Sequence, residues 1–344
     1  MSGPKAVALG GGHGLYATLS ALRLLTDSVT AVVTVADDGG SSGRLRGELG
    51  ILPPGDLRMA LAALADGGAS GERWGELFQH RFGGTGALAG HAVGNLLLAG
   101  LIEVCGDPVV ALEEAGRLLG VRGRVLPMSV NPLVIEAEVS GLGRDPDALS
   151  RIRGQVAVAS TPGRVRRVWL QPASPTACPE AVEAVREAEV VLLGPGSWFT
   201  SVLPHLMVPD LRQALLDTRA CKVVVLNLAP QPGETAGFSP ERHLDVLCQH
   251  APELRIDAVL ADIDSVPVPE RLQRAAAALG ARAVLAPVGE RDGTARHNSA
   301  ALAEAVRSVM VAPERWDRST VGSRSPSSRE VTGPSGREEN TRWR

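Results

Sequence analysis

Thr34-Val35-Ala36-Asp37-Asp38-Gly39-Gly40-Ser41-Ser42-Gly43 places two adjacent carboxylates at the end of a β-branched apolar run, followed by residues too small to pack a core. Hard oxygen donors of this kind suit Mg²⁺, which proteins hold through one or two carboxylates plus substrate phosphates. Adjacent residues of a strand point to opposite faces. Either Asp37 or Asp38 could therefore face a cleft, to hold Mg²⁺ or a substrate hydroxyl, while the other caps the loop. Gly10-Gly11-Gly12-His13-Gly14 follows a short apolar run and precedes a helical one. Glycine lets backbone approach an anion, and a helix N-terminus offers free N–H groups with a favourable dipole. Gly194-Pro195-Gly196-Ser197, with Thr200 and Ser201 just beyond, repeats that logic. Gln231-Pro232-Gly233-Glu234-Thr235 follows a further apolar run that ends near Asn227.

Other groups have two readings each. His13 and Tyr16, the chain's only tyrosine, either touch a ligand or pack. His91 and Asn95 are four apart, hence on one helix face, and are either a satisfied core pair or a ligand-facing helix start. Arg44, Arg46 and Arg58 are phosphate clamps or surface charges. Asp56, in Pro53-Pro54-Gly55-Asp56, reads as the cap of a helix over Leu57 to Leu64. Gly12-x-Gly14-x-x-Ala17 also satisfies a loose dinucleotide fingerprint, with Asp37 twenty residues beyond Ala17, so a nicotinamide-binding oxidoreductase competes. Two acids where a ribose hook needs one favour a metal–diphosphate site instead, and NAD is not expected.

The elements that must position these loops follow from periodicity. Lys5 to Leu9 and Val29 to Ala36 read as strands flanking a helix over Leu15 to Leu25, a βαβ unit with a parallel pair. Glu189 to Leu193, Lys222 to Leu228, Asp257 to Ala261 and Arg282 to Ala286 are further short apolar runs. Helical stretches separate them, such as Trp198 to Val208 and Pro269 to Leu279. Alternation of this kind predicts an α/β fold: a doubly wound, mostly parallel Rossmann-like sheet with helices on both faces. Arg124 to Ser129, Leu133 to Ser140 and Arg166 to Gln171 suggest a small, irregular antiparallel insertion. Residues 1–312 are read as this one domain. From Pro313 onward Ser, Arg, Gly, Pro and Glu replace apolar residues, so 313–344 is expected to be a disordered tail. All the glycine-lined loops should then project from one rim of the sheet.

Composition removes several classes. The formal charge of −3 and 3% aromatics argue against a nucleic-acid partner. Two lysines, Lys5 and Lys222, leave no Walker A loop. Four dispersed cysteines form no C-x-x-C pair, and no signal peptide or membrane span is visible, which reads as a cytoplasmic protein. Neither a fitting G-x-S-x-G nor an H-E-x-x-H occurs.

The ordered set Gly10-Gly11-Gly12, Thr34 to Arg46, Gly50-Ile51-Leu52-Pro53-Pro54-Gly55-Asp56-Leu57-Arg58, Ala89 to Leu96, Gly194 to Ser197 and Gln231 to Thr235 closely resembles the bacterial gluconeogenesis factor family. The likeness runs over roughly residues 5 to 310. It implies a Rossmann-like fold of the phospholactate transferase-like superfamily. It further implies binding of UDP-sugars, UDP-N-acetylglucosamine above all, and a role in cell shape and envelope (cell wall) synthesis during gluconeogenic growth. A related branch is a Mg²⁺-dependent transferase using a nucleotide diphosphate donor, which makes turnover the alternative reading. A protein partner in envelope metabolism and a homo-oligomer are admitted without being specified. The expected ligand-binding set is Gly10, Gly11, Gly12, His13, Gly14, Asp37, Asp38, Ser41, Ser42, His91, Asn95, Gly194, Pro195, Gly196, Ser197, Thr200, Ser201, Asn227, Gln231, Gly233, Glu234 and Thr235, with Asp37 and Asp38 for the metal. His13, Met59, Trp198-Phe199 and Ala229-Pro230 depart from the family's usual residues.

Overall fold

The strands form because β-branched and aliphatic residues run continuously, which suits a sheet covered on both faces. A computed structural model describes residues 3–311. Its strands are β1 (Ala6–Gly10), β2 (Val29–Val33), β3 (Arg124–Pro127), β4 (Val134–Ser140), β5 (Leu149–Arg153), β6 (Arg164–Gln171), β7 (Val190–Leu193), β8 (Cys221–Val225), β9 (Ala258–Asp262) and β10 (Arg282–Ala286). Seven of them make one parallel sheet in the order β10-β9-β8-β7-β1-β2-β3. From β1 the chain first builds outward through β2 and β3, then returns to add β7 to β10 on the other side. The order reverses between β1 and β7. At such a switch point the loops after the two strands diverge and leave a crevice for a ligand.

Seven helices bear on the site: α1 (Gly12–Leu22), α2 (Gly40–Leu49), α3 (Pro54–Leu64), α4 (Ala69–Gln79), α5 (Val93–Cys105), α6 (Pro108–Leu119) and α7 (Gln155–Ala159). The core is aliphatic: Leu9, Leu15, Leu19, Leu22, Leu57, Leu61 and Leu64 are all almost wholly buried, joining β1, α1 and α3. No helix among the described residues is long and apolar enough to cross a membrane.

Several local expectations change. Helix α1 begins at Gly12, three residues before Leu15, because Gly11 is extended and accepts the Leu15 N–H at 3.2 Å. His13 and Gly14 thus belong to its first turn. Strand β3 was expected to be antiparallel, yet it pairs parallel with β2, Thr30 opposite Arg124. The run α2 to α6 between them is long enough for a crossover, and a four-residue apolar strand carries no mark of direction. Strands β4 and β6 are antiparallel as expected, but β5 joins them. Its Leu-Ser-Arg-Ile-Arg sequence hides a strand because its stability comes from cross-strand pairs: Arg153 opposite Glu136 and Arg151 opposite Glu138. Trp198 to Val208 is not an α-helix. A π-type turn over Trp198–Val202 leads into a 3₁₀ turn over Leu203–Met207. The Ser197 carbonyl accepts both the Ser201 and Val202 N–H groups, and Pro204 has no N–H to continue a regular ladder. The tail expected from residue 313 lies outside the described residues.

Candidate functional site

The corner after β1 and the corner after β7 touch each other at the switch point. An added Cβ at Gly14 would lie 2.1 Å from the Pro195 carbonyl oxygen and 2.6 Å from Gly196 Cα. Glycine is needed here for interlocking, inside a helical turn where alanine would otherwise be preferred. The Thr18 hydroxyl donates to the Gly194 carbonyl at 2.9 Å, tying α1 to the second corner. Gly194 itself needs φ +78°. From the next loop, Asn227 brackets Gly196: it accepts the Gly196 N–H at 2.8 Å and donates to its carbonyl at 2.9 Å.

Between the corners lies a cleft of about 210 Å³, lined by Gly11, Gly12, His13, Gly14, Thr34, Asp37, Asp56, Gln155, Gly196, Ser197, Thr200, Ser201 and Gln231. The first turn of α1 aims its unpaired N–H groups and dipole into it. Two buried polar atoms on its wall have no partner: the Thr34 hydroxyl and the Gln231 amide oxygen. Buried polar atoms are normally satisfied, and an orphan costs about 1–3 kcal/mol. Two on one wall leave that surface able to meet a polar ligand.

The acids divide. Asp38 turns away and accepts the Gln155 and Val156 N–H groups at 3.1 and 2.9 Å, capping α7. Asp37 lines the cleft, its Oδ1 accepting the Gly39 N–H at 2.9 Å. Its companion there is Asp56, expected from the sequence to cap a helix. Helix α3 starts at Pro54 with Pro53 in the capping place, and no side chain caps it. The Asp56 carboxyl instead enters the cleft and accepts the Gly12 N–H. An added Cβ at Gly11 would lie 2.3 Å from Asp56 Oδ2. Burial, and then the Asp37 charge, push Asp56 up to about 7 against the weaker pull of the Gly12 N–H and Arg58. Two carboxylates thus face one cleft, and burial beside a like charge disfavours the ionised form of one of them.

A second layer holds the β7 corner. Glu234 is buried; it accepts the Phe199 N–H at 2.9 Å and the Thr200 hydroxyl. Burial raises its pKa, and those two bonds oppose the rise. Thr235 accepts the Gln231 N–H at 2.8 Å, folding that loop back on itself. Gly233 packs against α7, where a Cβ would meet the Ala159 carbonyl at 2.0 Å. Glu234→Ala is expected to cost about 1–3 kcal/mol by orphaning two buried donors, with Glu234→Gln costing less. Urea midpoints check it; a wild-type midpoint for the alanine variant would show that this brace carries nothing.

Gly10 is the last residue of β1, packed against Leu15, and does not line the cleft. His91 and Asn95 are not on the cleft wall. With Ser41 they make a buried cluster: His91 Nδ1 lies 2.9 Å from the Ser41 hydroxyl, and Asn95 Nδ2 donates to that hydroxyl at 2.9 Å. Arg58 Nε donates to Asn95 Oδ1 at 2.9 Å. The cluster positions the start of α2, beside Ser42, whose hydroxyl fills the space over Gly55. Arg44 spends its donors on the carbonyls of Ala87 and Ala89. Tyr16, half-exposed, stands one turn along α1 from His13. Thr34, Asp56 and Gln155 were missing from the expected set. Asp56 could have been found from its acidity in a Pro-Pro-Gly turn; nothing local marks Gln155.

Residues 6–305 match the family described as 2-phospho-L-lactate transferase CofD. A protein of Mycobacterium leprae named "Putative gluconeogenesis factor" is 59% identical over 323 residues, 93% of this chain and 90% of that protein. The gluconeogenesis factor of Bacillus subtilis is 41% identical over 264 residues, 77% of this chain and 80% of that one. A crystal structure of a UPF0052-family protein from Bacillus halodurans superposes with a TM-score of 0.79 at 35% identity, covering 89% of this chain and 99% of that one. With the paired corners and the cleft acids lying inside the matched region, the chain belongs to the CofD family and, within it, to the gluconeogenesis factors.

Proposed function

We propose that the cleft binds the diphosphate of a nucleotide sugar, UDP-N-acetylglucosamine in particular, and that the protein acts through this ligand in cell-shape and envelope synthesis during gluconeogenic growth. The observation that carries the reading is the junction at the switch point: an α1 N-terminus, an interlocked second glycine corner and unpartnered Thr34 and Gln231 atoms all face one small space. A volume of about 210 Å³ is below the ~300–1,000 Å³ of a pocket that swallows a whole drug-sized ligand. It suits phosphates, with sugar and base lying over the rim. Asp37 and Asp56, rather than Asp37 and Asp38, have the hard-oxygen chemistry and the shared space to hold Mg²⁺. When bound, Mg²⁺ would neutralise diphosphate charge beside them. The His13 and Gly14 N–H groups would receive phosphate oxygens, and Asn227 and Glu234 keep the opposing corner in place.

Thermal shift tests the reading. A ligand at 100 times its Kd stabilises by about 2.7 kcal/mol, a rise of several degrees for a chain of this size. UDP-N-acetylglucosamine with Mg²⁺ is expected to give that rise, and NADH none. The opposite pattern overturns the proposal in favour of a dinucleotide. The acid pair also favours a second reading, a transferase using a nucleotide diphosphate donor in the same cleft. Sustained release of UDP or UMP with candidate acceptors would replace the regulator with that enzyme.

A further inference from the structure

We propose that a second, separate pocket on the far side of the Asp37–Asp38 corner binds a phosphorylated small molecule between Arg46 and Arg153. The pocket holds about 380 Å³ and is lined by Asp38, Gly43, Arg46, Gly47, Val134, Arg153 and Gly154. It lies where α2 meets the antiparallel sheet. The wall dividing it from the cleft is one piece of chain. Asp37 faces the cleft and Asp38 the second pocket; Gln155 faces the cleft and Gly154 the second pocket. Gly154 has φ +104°, and a Cβ there would lie 2.3 Å from Asp38 Oδ2.

Charge decides the ligand class. The one acid lining the pocket, Asp38, and Glu136, which contacts Arg153 from outside it, are already served. Asp38 takes two N–H groups from α7. Glu136, buried, takes Arg151 through two nitrogens and the Trp169 indole N–H at 2.9 Å, leaving Arg153 the most distant of its cationic contacts at 3.3 Å. Arg46 is half-buried and donates one bond, to the Asp37 carbonyl at 3.4 Å. Burial holds the Arg46 pKa down, the Asp38 and Asp37 charges oppose that, and the Arg153 charge adds to it. Two guanidiniums therefore face the same space with most of their donors unused. A guanidinium presents five N–H donors in a rigid fork that matches phosphate oxygens. Gly43, Gly47 and Gly154 leave a floor without side chains on which the rest of such a molecule can lie. The space is about thirteen times a water's share of ~30 Å³, so an organic phosphomonoester fits better than phosphate alone.

Amide NMR on the full chain locates the binding, with inorganic phosphate and glycerol 3-phosphate as probes, in the presence of UDP-N-acetylglucosamine. Saturable shifts are expected at Gly43, Gly47 and Gly154, with glycerol 3-phosphate the tighter probe. Arg46→Gln and Arg153→Gln should each weaken it at least tenfold. Arg153, with an exposed side chain, carries the test if Arg46→Gln fails to fold. Shifts confined to Gly11, Gly12, Gly14 and Gly196 would mean that phosphate enters the cleft alone and would overturn the proposal. Binding that neither variant weakens would overturn it as well. Failure of the nucleotide sugar to bind is read separately, from its own shifts at the cleft glycines, and leaves this result standing.

Discussion

Gly14→Ala is expected to lower stability by about 3 kcal/mol or more and to abolish diphosphate binding. Overpacking of a tight interior typically costs ~1–3 kcal/mol, more where backbone must move. Here the new methyl meets the Pro195 carbonyl oxygen at 2.1 Å and its carbon at 2.5 Å, both backbone atoms between Gly194, held by Thr18, and Gly196, held by Asn227. The intrinsic helix gain of alanine over glycine, about 0.5–1 kcal/mol, does not offset that. The two corners must part, and the cleft is what lies between them. Melting should fall by roughly 6–10 °C for a chain of this length. Gly100→Ala in α5 is the control: nothing lies within 4 Å of its Cβ position, so that variant should gain roughly the intrinsic 0.5–1 kcal/mol. A Gly14→Ala protein that melts with the wild type and binds normally would show that the corners do not interlock.

The second large effect is a pH dependence seated on Asp56. Its folded pKa is about 7 against an ordinary 3.8. Between these values the folded chain keeps a proton that the unfolded chain has released. Stability from this group is therefore fully present below about pH 4 and is lost as pH rises toward 7 and beyond. A shift of this size corresponds to about 4 kcal/mol at most, and 2–4 kcal/mol is the expected loss across the window. Asp56→Asn keeps position 56 uncharged at every pH and should flatten the profile. Saturating Mg²⁺ should flatten it too, by favouring the ionised pair, and its stabilisation should grow with pH. Urea melts near pH 5 and pH 8, with and without Mg²⁺, measure all of this. Equal pH profiles for wild type and Asp56→Asn would remove Asp56 from the account. Mg²⁺ stabilisation that survives both Asp37→Asn and Asp56→Asn would remove the metal from this pair.

Local chemistry was readable wherever it depended on neighbours in the chain. The glycine corners at 10–14 and 194–197 announce themselves because backbone freedom at a strand end is a property of a few consecutive residues. The parallel sheet is equally legible, since continuous apolar runs alternating with helices leave few other ways to cover both faces. Strand β5 was hidden, because its support comes from Glu136 and Glu138 on another strand.

What the amino-acid order determined alone is thus the α/β class, the strand-end loops and the hard-oxygen, glycine-rich character of the site. Folding decided the assignments. Asp37 and Asp38 are chemically identical neighbours, and only the arrival of α7 turns one into its cap and leaves the other in the cleft. Asp56 gained its role because β1 and α3 pack together and press its carboxyl against Gly12. His91 and Asn95 went to the Ser41 cluster for the same reason. Which partner a polar group finds depends on distances set by burying the aliphatic core, and that burial is a property of the whole chain rather than of any stretch of it.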